Sequence, residues 1–140
     1  MFGNFKKKMG TGFNRFSGNT DFLEAVCAAS ALVAYADGEC DDGELDTALE
    51  TIGNNETLKS GFKQSKITTT MDIMLKRAKG GRSGQRSLLK ELEDIEDDDQ
   101  KEMTLLCALD IADHGGIDEA EKKCLVKIGD AMGLNALSYI

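Results

Sequence analysis

Several residue types that mark common protein classes are absent or scarce in this sequence. It contains no proline, no tryptophan and a single histidine, and aromatic residues make up 6% of the chain. Sheet proteins are usually rich in aromatic side chains and in proline-containing turns. The sequence therefore predicts an all-α fold, and its 140 residues are enough to bury the core of one domain.

The motifs of the common enzyme classes are also missing. No G-x-S-x-G, P-loop, G-x-G-x-x-G or H-E-x-x-H pattern occurs. Histidine-based catalysis would depend on His114 alone, and proton transfer needs positioned partners. We therefore predict that the protein is not an enzyme and has no catalytic residues.

The cysteines form no C-x-x-C pair, so the spacing of zinc ligands is absent. Three of the four lie within apolar helical patterns, where a free cysteine behaves as a small hydrophobic residue. Buried, reduced thiols are the favoured interpretation, and chemistry on a metal or metalloid oxyanion is the least favoured. The four residues are Cys27, Cys40, Cys107 and Cys124.

Long apolar runs are absent as well. None reaches the roughly 18 residues of a transmembrane helix, and the first residues lack the apolar core of a secretory signal. We therefore expect a cytoplasmic protein, and any membrane contact is expected to be peripheral.

The formal net charge of −8 is unevenly distributed. Four of the 17 basic residues lie in the first 16 positions, which leaves 13 basic against 25 acidic residues in the remainder. Phosphate neutralisation drives non-specific nucleic-acid binding, so an acidic body opposes it. Nucleic acid is therefore not expected as a partner.

Residues 1–18 form a basic, phenylalanine-rich segment ahead of the predicted helical domain, residues 19–140. Phe2, Phe5 and Met9 recur at helical spacing beside three lysines, which is typical of a segment that docks on a partner or an anionic membrane surface. The alternative is that these rings cover an apolar patch of the domain itself. The predicted docking residues are Phe2, Phe5, Lys6, Lys7, Lys8, Phe13 and Phe16.

A pattern of apolar helix, acidic turn and second helix occurs twice, at residues 31–52 and 107–128. Such an internal repeat predicts a pseudo-symmetric domain. We expect a single compact bundle of about seven helices that contains two helix–acidic turn–helix hairpins. The repeated carboxylates are Asp37, Asp41 and Glu44 in the first turn and Asp113, Asp118 and Glu121 in the second.

These carboxylates admit two interpretations. Asp41 with Glu44, and Asp118 with Glu121, have the spacing of capping boxes that need no metal. Capping leaves unexplained the first aspartate of each turn, which opposes a helix C-terminal dipole at a cost of about 0.3–1 kcal/mol. Crowded carboxylates also suit a hard divalent cation, and Ca²⁺ takes 6–8 oxygen ligands. The six carboxylates are therefore candidate ligands if the two turns lie together, although the spacing is not that of an EF-hand.

Smaller signals predict where individual helices begin and end. Glycine at positions 53 and 133 predicts helix C-termini, and Asp99 with Glu102 has the spacing of another capping box. The glycine-rich residues 80–84 predict a loop, and the neighbouring Arg82 and Arg86 are expected to pair with the acidic residues that follow.

The paired motifs resemble the tellurite-resistance TerB family. The resemblance consists of Ala-Asp-Gly-x-x-Asp-x-x-Glu after an apolar helix, a second Ala-Asp with a later Asp-x-x-Glu, and a following Ile-Gly-x-x-x-Gly-Leu. It extends from about Phe2 to Leu134, and the chain departs from it at His114 and the extra residue in the second turn.

The resemblance implies a cytoplasmic all-α protein of bacterial stress operons with about seven helices. It also implies a divalent metal at the six acidic residues and a TerC-type integral membrane protein as partner. The leading hypothesis is a non-enzymatic, metal-binding interaction module. The alternative is a structural or protein-interaction subunit, for example of a mobile element or viral particle, that uses the fold without metal.

Overall fold

The structure, a computed structural model, describes residues 20–38, 40, 42–113 and 116–140. Over these residues the chain forms seven α-helices, a short 3-10 helix and no strand, as predicted. Segment 1–18 lies outside the described residues. The helices are α1 (Thr20–Ala34), α2 (Asp42–Gly53), α3 (Glu56–Gly61), α4 (Gln64–Lys79), α5 (Arg82–Glu93), α6 (Asp98–Ala112) and α7 (Glu119–Met132), followed by the 3-10 helix Ala136–Tyr139.

Helix α1 is the centre of the bundle. Eleven of its 15 residues are buried, and it packs on α2, α4, α5, α6 and α7. A helix that is apolar nearly all round can be stable only when other helices cover every side of it. Its one buried polar side chain is satisfied locally, because the Ser30 hydroxyl donates a hydrogen bond to the carbonyl oxygen of Val26 at 2.7 Å. Among the described residues no helix is long and apolar enough to cross a membrane.

The two predicted hairpins lie side by side. Helices α1 and α2 form the first, helices α6 and α7 form the second, and α1 packs against α6 between them. The chain after α7 folds back onto the domain: Ala136 is buried and the Leu134 N–H donates to the Gly129 carbonyl oxygen at 2.8 Å. Gly133 ends α7 in the left-handed region at φ 74°, so this predicted C-terminus is confirmed.

The predicted loop at residues 80–84 is wrong, because α5 already begins at Arg82. A Cβ atom on Gly84 would overlap the carbonyl oxygen of Arg77 at the end of α4, so this glycine serves close helix packing. Gly53 is the last residue of α2, so this predicted C-terminus is also confirmed, and a Cβ there would sit 2.7 Å from the Thr68 Cγ2 atom of α4.

Two other local predictions also need correction. Asp97, two residues before the predicted cap, caps α6 by accepting a hydrogen bond from the Gln100 N–H at 3.0 Å. Any of the successive aspartates can cap, and the first takes the extended backbone that an N-cap needs. Arg82 forms no ion pair with any described residue; instead Arg77 pairs with Glu91 at 3.3 Å.

Candidate functional site

A cleft of about 560 Å³ opens between the two acidic turns. Its lining comes from the C-terminal end of α1 with the turn that follows, from α2, from the end of α6 and from the start of α7. The first turn contributes Asp37, and the second contributes Asp118 and Glu121. The apolar part of the lining consists of Val33, Ala34, Ala36, Ala48 and Ile111. The negatively charged bends of the two hairpins are therefore neighbours.

The first turn brings Asp37 to the cleft by a tight reversal after α1. The Gly38 N–H donates to the Tyr35 carbonyl oxygen at 2.9 Å, and Gly38 has φ 91°, a left-handed conformation that glycine adopts without strain. Tyr35 itself is buried beneath the turn. Burial raises the pKa of its hydroxyl, and the neighbouring Cys40 and Asp42 raise it further.

The second turn holds its two carboxylates by the predicted capping box at the start of α7. Asp118 Oδ1 accepts a hydrogen bond from the Glu121 N–H at 2.8 Å, and Glu121 Oε1 accepts one from the Asp118 N–H at 3.1 Å. Each carboxylate uses one oxygen in this pair. The capping box does not use the remaining oxygens, Asp118 Oδ2 and Glu121 Oε2. Besides burial, a hydrogen bond between the two side chains contributes to the raised pKa of Glu121.

The two turns are coupled electrostatically through Glu121. Burial raises the pKa of its carboxyl, and the negative charges of Asp118 and Asp37 raise it further, although the hydrogen bond from the Asp118 backbone N–H acts in the opposite direction. Like charges that face each other disfavour ionisation of one partner. Asp37 comes from the other hairpin, so its effect on Glu121 requires the turns to be close.

The remaining predicted ligands are placed differently. Asp113 is exposed at the C-terminus of α6, where its N–H donates to the Leu109 carbonyl oxygen at 2.9 Å, and it does not line the cleft. Asp41 and His114 lie outside the described residues, and Glu44 lies in the first turn of α2 with its side chain undescribed. Among the side chains that are described, no group of three histidines, cysteines, aspartates or glutamates is placed to hold a metal ion.

The cleft also contains residues that the sequence analysis did not single out. Thr47 and Thr51 line it from α2, together with Gly43. The Thr47 hydroxyl donates to the Gly43 carbonyl oxygen at 2.9 Å. Positions 43, 47 and 51 are spaced by four residues and so lie on one face of a helix. This four-residue spacing is the sequence feature that could have indicated a shared face of α2.

The sequence of the chain matches the model of a known protein family. Residues 23–140, which include both acidic turns and all of the cleft, match the family model described as Tellurite resistance protein TerB. The chain belongs to the TerB family. The resemblance inferred from the paired motifs is thereby confirmed, and the TerB match leaves residues 1–22 outside it. No curated protein and no solved structure matches the chain.

Proposed function

We propose that this TerB-family protein binds a divalent cation, for which Ca²⁺ is one candidate, in the cleft between its acidic turns. The observation that carries the proposal is the meeting of Asp37 from one hairpin with Asp118 and Glu121 from the other around a single cleft. A bound cation would offset the repulsion that raises the pKa of Glu121. In this scheme the cation links the two hairpins.

The chemistry of the donors fits a hard cation. Carboxylate oxygens are the ligands that Ca²⁺ and Mg²⁺ prefer, and the hydroxyls of Thr47 and Thr51 add further oxygen atoms to the lining. Because the described side chains contain no ready group of three ligands, the proposal assigns further oxygens to Asp41 and Glu44 of the first turn.

Helix capping and cation binding are compatible at the second turn. The capping box uses Asp118 Oδ1 and Glu121 Oε1 and fixes both side chains at the start of α7. The capping box does not use the other oxygen of each carboxylate, and the proposal assigns these two oxygens to the cation. The cap orients the two groups, and orientation by a hydrogen-bonded neighbour is how ligating carboxylates are usually held.

Calorimetric titration of the full-length protein with Ca²⁺ tests the proposal. We expect saturable binding that Asp37→Asn weakens at least tenfold, since removal of one supporting partner of a ligand already costs about 10–100-fold in affinity. Asp113→Asn makes the same chemical change at the corresponding position of the repeat, outside the cleft, and should leave binding within about twofold. An absence of saturable binding, or equal losses in the two variants, would contradict the proposal.

We also propose that segment 1–18 docks on a partner, either a TerC-type membrane protein or a membrane surface. The proposal is supported by its basic, phenylalanine-rich composition and by its position outside the family match. Deletion of residues 1–18 should then remove co-purifying partners and leave the unfolding midpoint unchanged. A lower midpoint with partners retained would instead indicate that the phenylalanines cover the domain. A subunit that uses the fold without metal would dock in the same way and give no calcium isotherm.

The proposed role is non-enzymatic. Cys27 and Cys107 are buried in the core, and burial raises the pKa of the Cys107 thiol to about 12. Burial likewise raises the pKa of the half-buried Cys124 thiol to about 12, although nearby Lys127 opposes the shift. The thiolate is the reactive form of cysteine, so such thiols are poor nucleophiles. If the protein contributes to tellurite resistance, a folded variant with all four cysteines replaced by alanine or serine should retain that resistance. Loss of tellurite resistance in this variant would favour cysteine chemistry.

A further inference from the structure

The basic residues of the helical domain are concentrated on one hairpin. Residues 63–93, which comprise α4, α5, the two residues between them and the residue before α4, contain eight of the chain's 17 basic residues and three of its 25 acidic residues. The rest of the chain after residue 18 contains five basic and 22 acidic residues. We call α4 and α5 the basic hairpin. Its charge is opposite to that of the domain that carries it.

Most of this charge has no acidic partner. Lys76 pairs with Asp72 at 3.0 Å and Arg77 pairs with Glu91 at 3.3 Å. Six other basic side chains are exposed and form no ion pair within the described residues: Lys63, Lys66, Lys79, Arg82, Arg86 and Lys90. The last four lie at the end of α4 and along α5, where like charges repel one another, so an anionic partner would stabilise this surface.

Helix geometry places these residues on the side of the hairpin that faces away from the bundle. The buried positions of α5, Leu88 and Leu92, lie on the side of the helix opposite Arg86 and Lys90. On α4 the outward side also carries Ile73, which is 51% exposed. The surface therefore combines unpartnered cations with one large apolar side chain.

We propose that this outward face of the basic hairpin contacts an anionic lipid surface. Lysine and arginine bind anionic headgroups by charge alone, and Ile73 supplies an apolar side chain that can enter the interface. A membrane is planar and meets one face, whereas the acidic residues elsewhere are screened beyond a Debye length of about 8 Å at physiological ionic strength. The inference goes beyond cation binding and does not depend on it.

Nucleic acid fits this surface less well. Residues 63–90 contain no aromatic side chain on which a base could stack. A duplex would also extend past the hairpin toward a domain surface that is strongly acidic. The lipid surface is therefore the occupant that the charge distribution favours.

Sedimentation of the full-length protein with vesicles tests the proposal. Vesicles of phosphatidylcholine with phosphatidylglycerol should bind the protein, and vesicles of phosphatidylcholine alone should not. Arg82→Gln/Arg86→Gln should weaken binding by on the order of 20-fold, at about fivefold for each charge. The matched control, Lys59→Gln/Lys122→Gln, removes two exposed charges from α3 and α7 and should change binding by less than about threefold, since both lie off the hairpin.

Equal binding by the two double variants would overturn the proposal, because net charge alone would then explain the attraction. Failure of the wild type to bind anionic vesicles would also overturn it, as would retention of a DNA duplex but not of vesicles. A calcium isotherm that is unchanged in Arg82→Gln/Arg86→Gln, together with lost vesicle binding, would support the hairpin as a surface separate from the cleft. Circular dichroism spectra of both double variants would show whether they are folded. Folding is expected, because all four substituted side chains are exposed.

Discussion

Asp118 allows helix capping and cation binding to be separated within one residue. Its Oδ1 atom caps α7 at 2.8 Å, and the residue lines the cleft. Serine at this position retains a capping oxygen but removes the carboxylate, whereas alanine removes both. The pair Asp118→Ser and Asp118→Ala therefore tests the two interpretations of the acidic turn independently.

The magnitudes follow from the capping box. Loss of an aspartate N-cap costs about 1 kcal/mol, within a range of about 0.5–2 kcal/mol, which in a domain of this size lowers the unfolding midpoint by about 3–5 °C. Asp118→Ser keeps the cap and loses only the favourable charge at the helix N-terminus, which is worth about 0.3–1 kcal/mol. Relief of the repulsion with Glu121 offsets part of that loss.

Thermal unfolding measures the stability of each variant, and calcium calorimetry on the same samples measures its affinity for Ca²⁺. Asp118→Ala should be the less stable variant, and both variants should bind Ca²⁺ at least tenfold more weakly than the wild type. If Asp118→Ser binds calcium as tightly as the wild type, Asp118 is only a cap. If Asp118→Ala is as stable as Asp118→Ser, the hydrogen bonds of the capping box do not contribute as argued.

Three further predictions concern packing and titration. Gly84→Ala should lower the unfolding free energy by about 1–3 kcal/mol in urea titration, because a Cβ would overlap the Arg77 carbonyl oxygen, whereas Ser83→Ala one residue earlier should change it by less than about 0.5 kcal/mol; equal effects would contradict the close approach of α4 and α5. Thr104→Val should raise the unfolding free energy by about 1 kcal/mol, because the buried Thr104 hydroxyl has no hydrogen-bond partner among the described residues, and a loss of stability would show that the hydroxyl is satisfied. Glu121→Gln should remove a pH dependence: the raised pKa of Glu121 means that the folded state holds its proton more tightly, so this contribution to stability is present below the ordinary carboxyl pKa and is lost as pH rises through the raised value. In urea titrations across that range, the unfolding free energy of the wild type minus that of the variant should fall as pH rises. A difference that does not change with pH would contradict the raised pKa.

The sequence was most informative where one physical requirement dominates. The near-continuous apolar stretch of α1 can be stable only at the centre of a bundle, and it lies there. The capping box of Asp118 and Glu121 was predictable because it depends on neighbours three residues apart. The repeated acidic turns predicted two hairpins but left open whether the turns lie together, and in the structure both turns line one cleft.

Predictions that depend on how distant parts of the chain pack together were less successful. Gly84 indicated a loop in the sequence, yet it lies within α5 and allows this helix to approach the backbone of α4 closely. Nothing local distinguishes a glycine that breaks a helix from one that admits a neighbouring backbone. The same reasoning applies to Asp113, which matches Asp37 in the repeat but does not line the cleft. The second turn is one residue longer than the first, so the repeat alone does not fix where its first aspartate lies.

The most direct test of the central claim is a calcium titration followed by the backbone amide resonances of both turns in one nuclear magnetic resonance experiment. If one cation joins the hairpins, the amides of Asp37 and Gly38 and those of Asp118 and Glu121 should shift together and give a single dissociation constant. Shifts confined to one turn, two different constants, or no saturable shift at either turn would contradict a shared site.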